Sequence, residues 1–208
     1  MAALSVAGRP THTQTGQPIA YFTFDDGPAA DTPGVLAALA RHSAQATFFI
    51  VGSRVQQLPD TVRSTLQAGH VVGNHSFTHP RLGGMPEPEF MVEMKQTAAA
   101  AAEAAGPLLP SGRMQLMRPP YGSHDEHTEP RANSLGYAMV MWDIDPEDWS
   151  EPGTEAIVSQ VLAEVRPGAI VLLHDGGGDR SQTVAAVEQL LQALAAQGYV
   201  FHSLQQDI

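Results

Sequence analysis

The sequence predicts an α/β fold whose parallel strands curl into a barrel, and three observations predict it. Apolar, β-rich runs alternate with longer helical segments along the whole chain, the pattern of a parallel sheet crossed by helices. Most of these runs are apolar nearly throughout, as strands covered on both faces are. Polar residues then gather at the C-terminal ends of five of the runs, at Asp25/Asp26, Asn74/His75, Arg118, Trp142/Asp143 and His174. Periodicity alone would suit an open doubly wound sheet as well as a closed one. Polar strand ends meeting on one rim favour the barrel, because that rim is where α/β barrels build their chemistry.

Taken in order, the first strand is "IAYFTF" (19–24), which stops at two carboxylates and a Gly-Pro turn. "TPGVLAALARHS" follows as a helix, with Thr32 as N-cap and Pro33 at the first helical position. The next strands are "ATFFIV" (46–51) and "HVVGN" (70–74), separated by a helix over 60–68. A long helix over 86–105 contains the alanine-rich "TAAAAAEAAG" and stops at Gly106, a favourable helix end. "GPLLPSGR" (106–113) is a loop within the domain. "MQLMR" (114–118) and "YAMVMW" (137–142) are strands around a helix over 125–135. Helices over 154–165 and 182–197 flank the strand "AIVLLH" (169–174), and "YVFHSL" (199–204) is the last strand.

A chain of 208 residues suits one domain with a sizeable core. We divide it into an N-terminal extension, 1–18, and a single catalytic domain, 19–208. No apolar run approaches the roughly 20 residues that span a bilayer. The opening "MAALSVAGRPTHTQTGQ" shows no basic segment followed by an apolar one, so no export signal is legible in it. Cysteine is absent, which excludes disulfides and thiolate metal sites, so His, Asp or Glu must hold any metal. The net charge is -11 and Lys95 is the single lysine. That composition excludes the basic stripe of a nucleic-acid binder and disfavours an anionic membrane partner. A neutral or cationic ligand suits such a field, although acidity also simply serves solubility.

Five short segments can carry chemistry. In "GNHSFTHP", His75 and His79 stand four apart in a loop bracketed by Gly73 and Pro80, within reach of one ion. A carboxylate would complete such a set, and "FDDGP" offers two. One Asp could bind a dication, whose charge relieves the repulsion between neighbours, while the other acts as a base. The same segment could equally form an Asx turn capping a helix. "RPPYG" (118–122) sets Arg118 before a rigid turn, where it could pin an aspartate by bidentate contact. "DIDPEDW" (143–149) reads by default as a solvated acidic loop, but Trp149 in such a loop suits a sugar or apolar pocket. "IVLLHDG" (170–176) ends an apolar strand at His174, which needs a carboxylate on its far nitrogen if it is catalytic.

In this order, "TFDDGP", "HSFTH", "RPPYG", "DPEDW" and "IVLLH" resemble the five motifs of the polysaccharide deacetylase family, the NodB-homology domain of carbohydrate esterase family 4. The resemblance runs from about Ile19 to Leu204. It implies a distorted (β/α) barrel of seven or eight strands. It implies that Asp26, His75 and His79 bind a divalent metal, usually Zn2+, with Co2+ or another transition metal as substitutes. Asp25 would be the general base and Arg118 would orient it. Tyr121 would offer its backbone N–H to the oxyanion and line the substrate pocket. Asp148 would hold His174, the general acid, and Trp149 and Leu172 would cradle the acetyl methyl. The departures are Met117, where an aromatic is common, and the segments 106–113 and 123–129, which belong to no motif.

The resemblance implies hydrolysis of N-acetyl groups on N-acetylglucosamine polymers or oligomers, by a monomer. Chitin and its oligosaccharides, peptidoglycan and poly-N-acetylglucosamine are the candidate substrates. An O-acetyl esterase acting on xylan is the alternative that the same residues would serve. A non-catalytic relative would usually have lost the base or a ligand, and all are present here. The substrates place the protein outside the cytoplasm or at the cell wall. Asp25 must be ionised and His174 charged, so a bell-shaped pH profile is expected.

Overall fold

A computed structural model describes residues 9–109 and 114–204. Seven strands form one all-parallel sheet: β1 (Ile19–Gly27), β2 (Thr47–Ile50), β3 (Val71–Asn74), β4 (Leu116–Met117), β5 (Ala138–Met139), β6 (Ile170–His174) and β7 (Val200–Phe201). Their order is β5-β4-β3-β2-β1-β6, with β7 added to the start of β1 through Ile19–Val200 and Ala20–Phe201. Among the described residues seven α-helices lie between and around them: α1 (Thr32–Arg41), α2 (Gly52–Gln57), α3 (Pro59–Gln67), α4 (Glu87–Ala105), α5 (Thr128–Ser134), α6 (Thr154–Glu164) and α7 (Ser181–Ala196).

The alternation of side chains along β1 divides the apolar interior in two. Ile19 and Tyr21 point to an inner cluster with Phe49, Leu116, Val140, Ile170 and Leu204. Ala20, Phe22 and Phe24 point the other way, to a larger cluster shared with Val35, Leu39, Met94 and Leu191 of the helices. Strands apolar on both faces are therefore packed on both faces. Truncating a fully buried phenylalanine such as Phe22 to alanine would cost about 3–5 kcal/mol.

Among the described residues no ladder joins β5 to β6. The chain running on from β5 reaches β6 at a single parallel bridge, Ile144–Val171, with Leu172 N–H donating to the Ile144 carbonyl at 2.9 Å. The barrel is thus curved and bridged rather than closed by a full set of strands.

Three expectations are corrected. Asp143 does not face the rim where β-strands end. Its carboxylate accepts from Arg9 at 2.6 Å, Arg166 at 2.7 Å and the Ile170 N–H at 2.8 Å, at the start of β6. The long stagger from β5 to β6 carries it to that end. The N-cap of α1 is Asp31, and Thr32 instead donates its hydroxyl to buried Asp175 at 2.5 Å. The six-residue α2 went unanticipated because it is short, has no side-chain cap and leads directly into α3. Within the 1–18 stretch, Arg9 binds Asp143 and the Pro10 carbonyl accepts from the Tyr21 hydroxyl at 2.8 Å, so its described part lies against the sheet.

Candidate active site

The adjacent carboxylates of β1 can serve one site because the strand bulges between them. In a regular strand, neighbouring side chains point to opposite faces. Here Asp25 pairs with Phe49 and Gly27 with Ile50, leaving Asp26 as the extra residue, at φ 72. The bulge re-aims Asp26 toward the side that Asp25 already faces. Its backbone is gripped from behind, since the Arg54 guanidinium of α2 donates to the Asp26 carbonyl. The glycines after β6 let that grip close: a Cβ at Gly176 would collide with the Asp26 carbonyl, and one at Gly177 with its carboxylate.

His75 and His79 arrive from the loop after β3. The Nε2 atoms of His79 and His75 lie 2.9 and 3.5 Å from Asp26 Oδ1. Their other ring nitrogens are engaged: His75 Nδ1 lies 2.8 Å from the Arg118 carbonyl and His79 Nδ1 lies 3.1 Å from the Tyr121 hydroxyl. A carbonyl only accepts, so Nδ1 of His75 carries the proton, and in the neutral ring Nε2 presents a lone pair to the carboxylates. Asp26 Oδ1 is buried and receives no well-directed hydrogen bond. Burial works against its charge, but the two imidazoles, with protons on Nε2 in place of a cation, outweigh it and hold the carboxyl far below its usual range.

This donor set fits a divalent ion. Among the described residues Asp26, His75 and His79 bring one ligand atom each within 4.8 Å of one another. One carboxylate with two imidazoles is a recognised zinc set. Facing lone pairs on buried atoms become favourable only when a cation lies between them.

Asp25 is set apart from that trio. Its Oδ1 accepts from Arg118 Nη1 at 2.8 Å, while Oδ2 lies 3.6 Å from His75 Nε2. Arg118 is fully buried, with Phe49 4.2 Å and Trp142 5.6 Å from its guanidinium carbon. The expected bidentate contact is corrected: a single nitrogen serves both Asp25 and the Thr23 hydroxyl. The others donate to the carbonyls of Val140 and Met141, which compete for the fork. Burial pushes the guanidinium pKa down, and Asp25 opposes this.

Opposite them, His174 ends β6. Asp148, fully buried on a 3-10 turn, accepts from the His174 ring at Nδ1 (2.7 Å) and from its backbone N–H (2.9 Å). The Thr183 hydroxyl donates to Asp148 at 2.6 Å. Desolvation lowers the imidazole pKa, but contact with Asp148 and the charges of Asp25 and Asp26 raise it above its ordinary value. The acidic loop is therefore not simply solvated, since Asp143 and Asp148 are both committed to partners.

Leu172 is buried on β6 beside Thr23, whereas Trp149 and Tyr121 remain 52% and 62% exposed. The two aromatics thus stand open to solvent while Leu172 is closed in. Tyr121 sits at φ 59, with the Arg81 guanidinium 4.8 Å over its ring. Sequence reasoning missed Arg54, Thr23, Glu93 and Arg180. Arg180 is buried and donates to the carbonyls of Gly176 and Trp149. No spacing signature could have found them: Arg54, Thr23 and Glu93 touch residues 15 or more positions away, and Arg180 joins nearby Gly176 to Trp149, 31 positions back.

Known proteins resemble this chain over most of its length. The family described as "Polysaccharide deacetylase" matches residues 12–140. The chain is 39% identical over 204 residues to a chitooligosaccharide deacetylase of Sinorhizobium fredii, covering 93% of each. It is 40% identical over 186 residues to a peptidoglycan-N-acetylglucosamine deacetylase of Bacillus cereus, covering 88% of this chain and 84% of the relative. Among solved structures, peptidoglycan deacetylase PdaC from Bacillus subtilis superposes with a TM-score of 0.83 at 32% identity, over 93% of this chain and 91% of that one.

Proposed function

Because this chain belongs to the polysaccharide deacetylase family, we propose that it removes N-acetyl groups from N-acetylglucosamine units, with chito-oligosaccharides as first substrate and peptidoglycan next. It is a hydrolase of carbon–nitrogen bonds other than peptide bonds. The observation that carries the reading is the separation of three devices on one rim: the Asp26/His75/His79 trio, the Asp25–Arg118 pair and the Asp148–His174 pair.

Asp26, His75 and His79 would hold the divalent metal, with zinc our assignment. When bound, it supplies Lewis acidity, polarising the acetyl carbonyl and making water more acidic. Asp25, held in place by Arg118, takes the proton from water as it attacks the carbonyl carbon. A positioned base is typically worth about 10²–10⁴-fold. The Tyr121 backbone N–H donates to the oxygen that becomes negative, and losing such a donor typically costs about 2.7–4 kcal/mol. His174, protonated, delivers its proton from Nε2 to the amine nitrogen as the carbon–nitrogen bond breaks. Leu172 and Trp149 receive the methyl group, and Tyr121 walls the same pocket.

Residues 19–208 act as one catalytic domain, and the substrate lies outside the cytoplasm or in the wall. Among the described residues no helix is long and apolar enough to cross a membrane. The test is acetate release from chitopentaose, peptidoglycan, poly-N-acetylglucosamine and acetylated xylan. Each is assayed with and without a chelator, then with zinc restored. Chitopentaose should respond most strongly, lose activity on chelation and regain it with zinc. Preference for acetylated xylan would replace this reading with the esterase. Asp25→Asn should reduce turnover by at least about 10²-fold while zinc still binds, and a wild-type rate in that variant would remove Asp25 from the role of base.

A further inference from the structure

Two of the three residues between the paired histidines hang from a carboxylate on another element. Glu93 of α4 accepts at Oε2 from the N–H groups of Phe77 (2.7 Å) and Thr78 (2.8 Å), and at Oε1 from the Thr78 hydroxyl (2.7 Å). The loop needs such a tether. Ser76 and His79 both sit in the left-handed region, at φ 63 and 64, which residues with a Cβ avoid unless their surroundings hold them there. Further hydrogen bonds shape the loop from within. Ser76 N–H donates to Asn74 Oδ1 at 2.9 Å, and His79 N–H to Ser76 Oγ at 3.1 Å. Asn74 in turn donates to the Met94 carbonyl, next to Glu93, at 2.9 Å. α4 thus grips the segment at Phe77 and Thr78, and α2 holds it from the other side, Gly52 and Ser53 N–H donating to the Ser76 and Phe77 carbonyls at 3.0 Å.

We propose that Glu93 is a positioning residue for the divalent metal, fixing the distance between His75 and His79 by clamping Phe77 and Thr78. The proposal rests on the metal reading above. Groups that hold ligands in place typically contribute 10–100-fold in metal affinity, and charge-assisted hydrogen bonds to a carboxylate are the stronger kind. Glu93 makes no contact with Asp25, His174 or the pocket residues in this structure, so its effect should fall on the metal rather than on the chemistry.

The experiment measures zinc affinity by chelator competition and the visible spectrum of the cobalt form, for wild type, Glu93→Ala, Glu93→Gln and Thr78→Val. Glu93→Ala should bind zinc about 10–100-fold more weakly, with an altered cobalt spectrum. Glu93→Gln should recover most of the affinity, since its amide oxygen can accept both N–H groups while its NH2 faces the hydroxyl. Thr78→Val, an exposed and isosteric change, should lie between wild type and Glu93→Ala. Wild-type affinity and spectrum in Glu93→Ala would overturn the proposal. So would a loss that Glu93→Gln does not rescue, which marks general destabilisation. If Glu93→Ala does not fold, an unchanged affinity in Thr78→Val overturns it in the same way. A wild-type protein that binds neither zinc nor cobalt would sink the metal reading itself, a distinguishable failure.

Discussion

At the scale of single residues, the charge of His174 is decided by its burial on one side and three carboxylates, Asp148 foremost, on the other. Desolvation favours the neutral ring, and Asp148 at 2.7 Å, aided by the charges of Asp25 and Asp26, reverses that preference. A general acid acts only while charged, so the rate should fall as pH rises through the raised pKa of His174. Replacing Asp148 by Asn lowers that pKa twice over. It removes the charge, and it turns an amide N–H toward Nδ1, because the Thr183 hydroxyl and the His174 backbone N–H both claim the amide oxygen. A donor facing Nδ1 stabilises the uncharged ring. In kcat/KM for acetate release against pH, Asp148→Asn should therefore shift the alkaline limb toward acid, with its greatest loss on the alkaline side. An unmoved limb would show that the pair does not set the acid's charge. That Asp25, Asp26, His75, His79, Arg118 and His174 meet was legible in sequence because each stands in a short segment at a strand end. Glu93 and Arg54 were not, since a helix residue that props a distant loop leaves no local pattern.

At the scale of elements, strand registration has a titratable component at the start of β3. His70 accepts the Ala46 N–H at 3.2 Å through Nδ1, and its ring packs edge-on against Phe48 of β2 at 5.5 Å. Burial pushes its pKa down from 6.5 to about 4. The unfolded chain takes up a proton first as pH falls, so the stabilisation is complete above pH 6.5 and is lost between there and about 4. Each pH unit is worth 1.36 kcal/mol, giving at most about 3 kcal/mol. His70→Asn keeps an acceptor for Ala46 and does not titrate. Its urea midpoint should vary less across that window than the wild-type midpoint, and equal slopes would exclude His70 as their source. All seven strands were legible from apolar runs, because both faces of each are covered. Their lengths were not: β4, β5 and β7 shrink to two residues each, since hydrogen-bond register is set by neighbouring strands and not by hydropathy. The Asp26 bulge was equally hidden, although "DDG" marks the only place where β1 could turn both carboxylates to one side.

At the scale of the whole molecule, the proposed metal ties together parts of the chain that the sheet joins only indirectly. Asp26 ends β1, the two histidines follow β3, and β2 lies between those strands. Without a cation, the site gathers Asp25 and Asp26 in a protein that already carries a net charge of -11. A ligand that binds only the folded state stabilises it by about 2.7 kcal/mol at one hundred times its Kd. In a domain of this size each kcal/mol moves Tm by about 2–4 °C, so zinc should raise the melting temperature by roughly 5–11 °C over the chelated protein. The variants apportion the effect. Asp26→Ala should lose the zinc-dependent rise, because a ligand is gone. Asp25→Asn should keep it, because the proposed base is not a ligand. A melting temperature indifferent to chelation in the wild type would mean that these three side chains hold no structural ion. A rise that survives in Asp26→Ala but vanishes in Asp25→Asn would exchange the two aspartates' roles. The same melting curves thus test both the existence of the metal site and the division of labour at the end of β1.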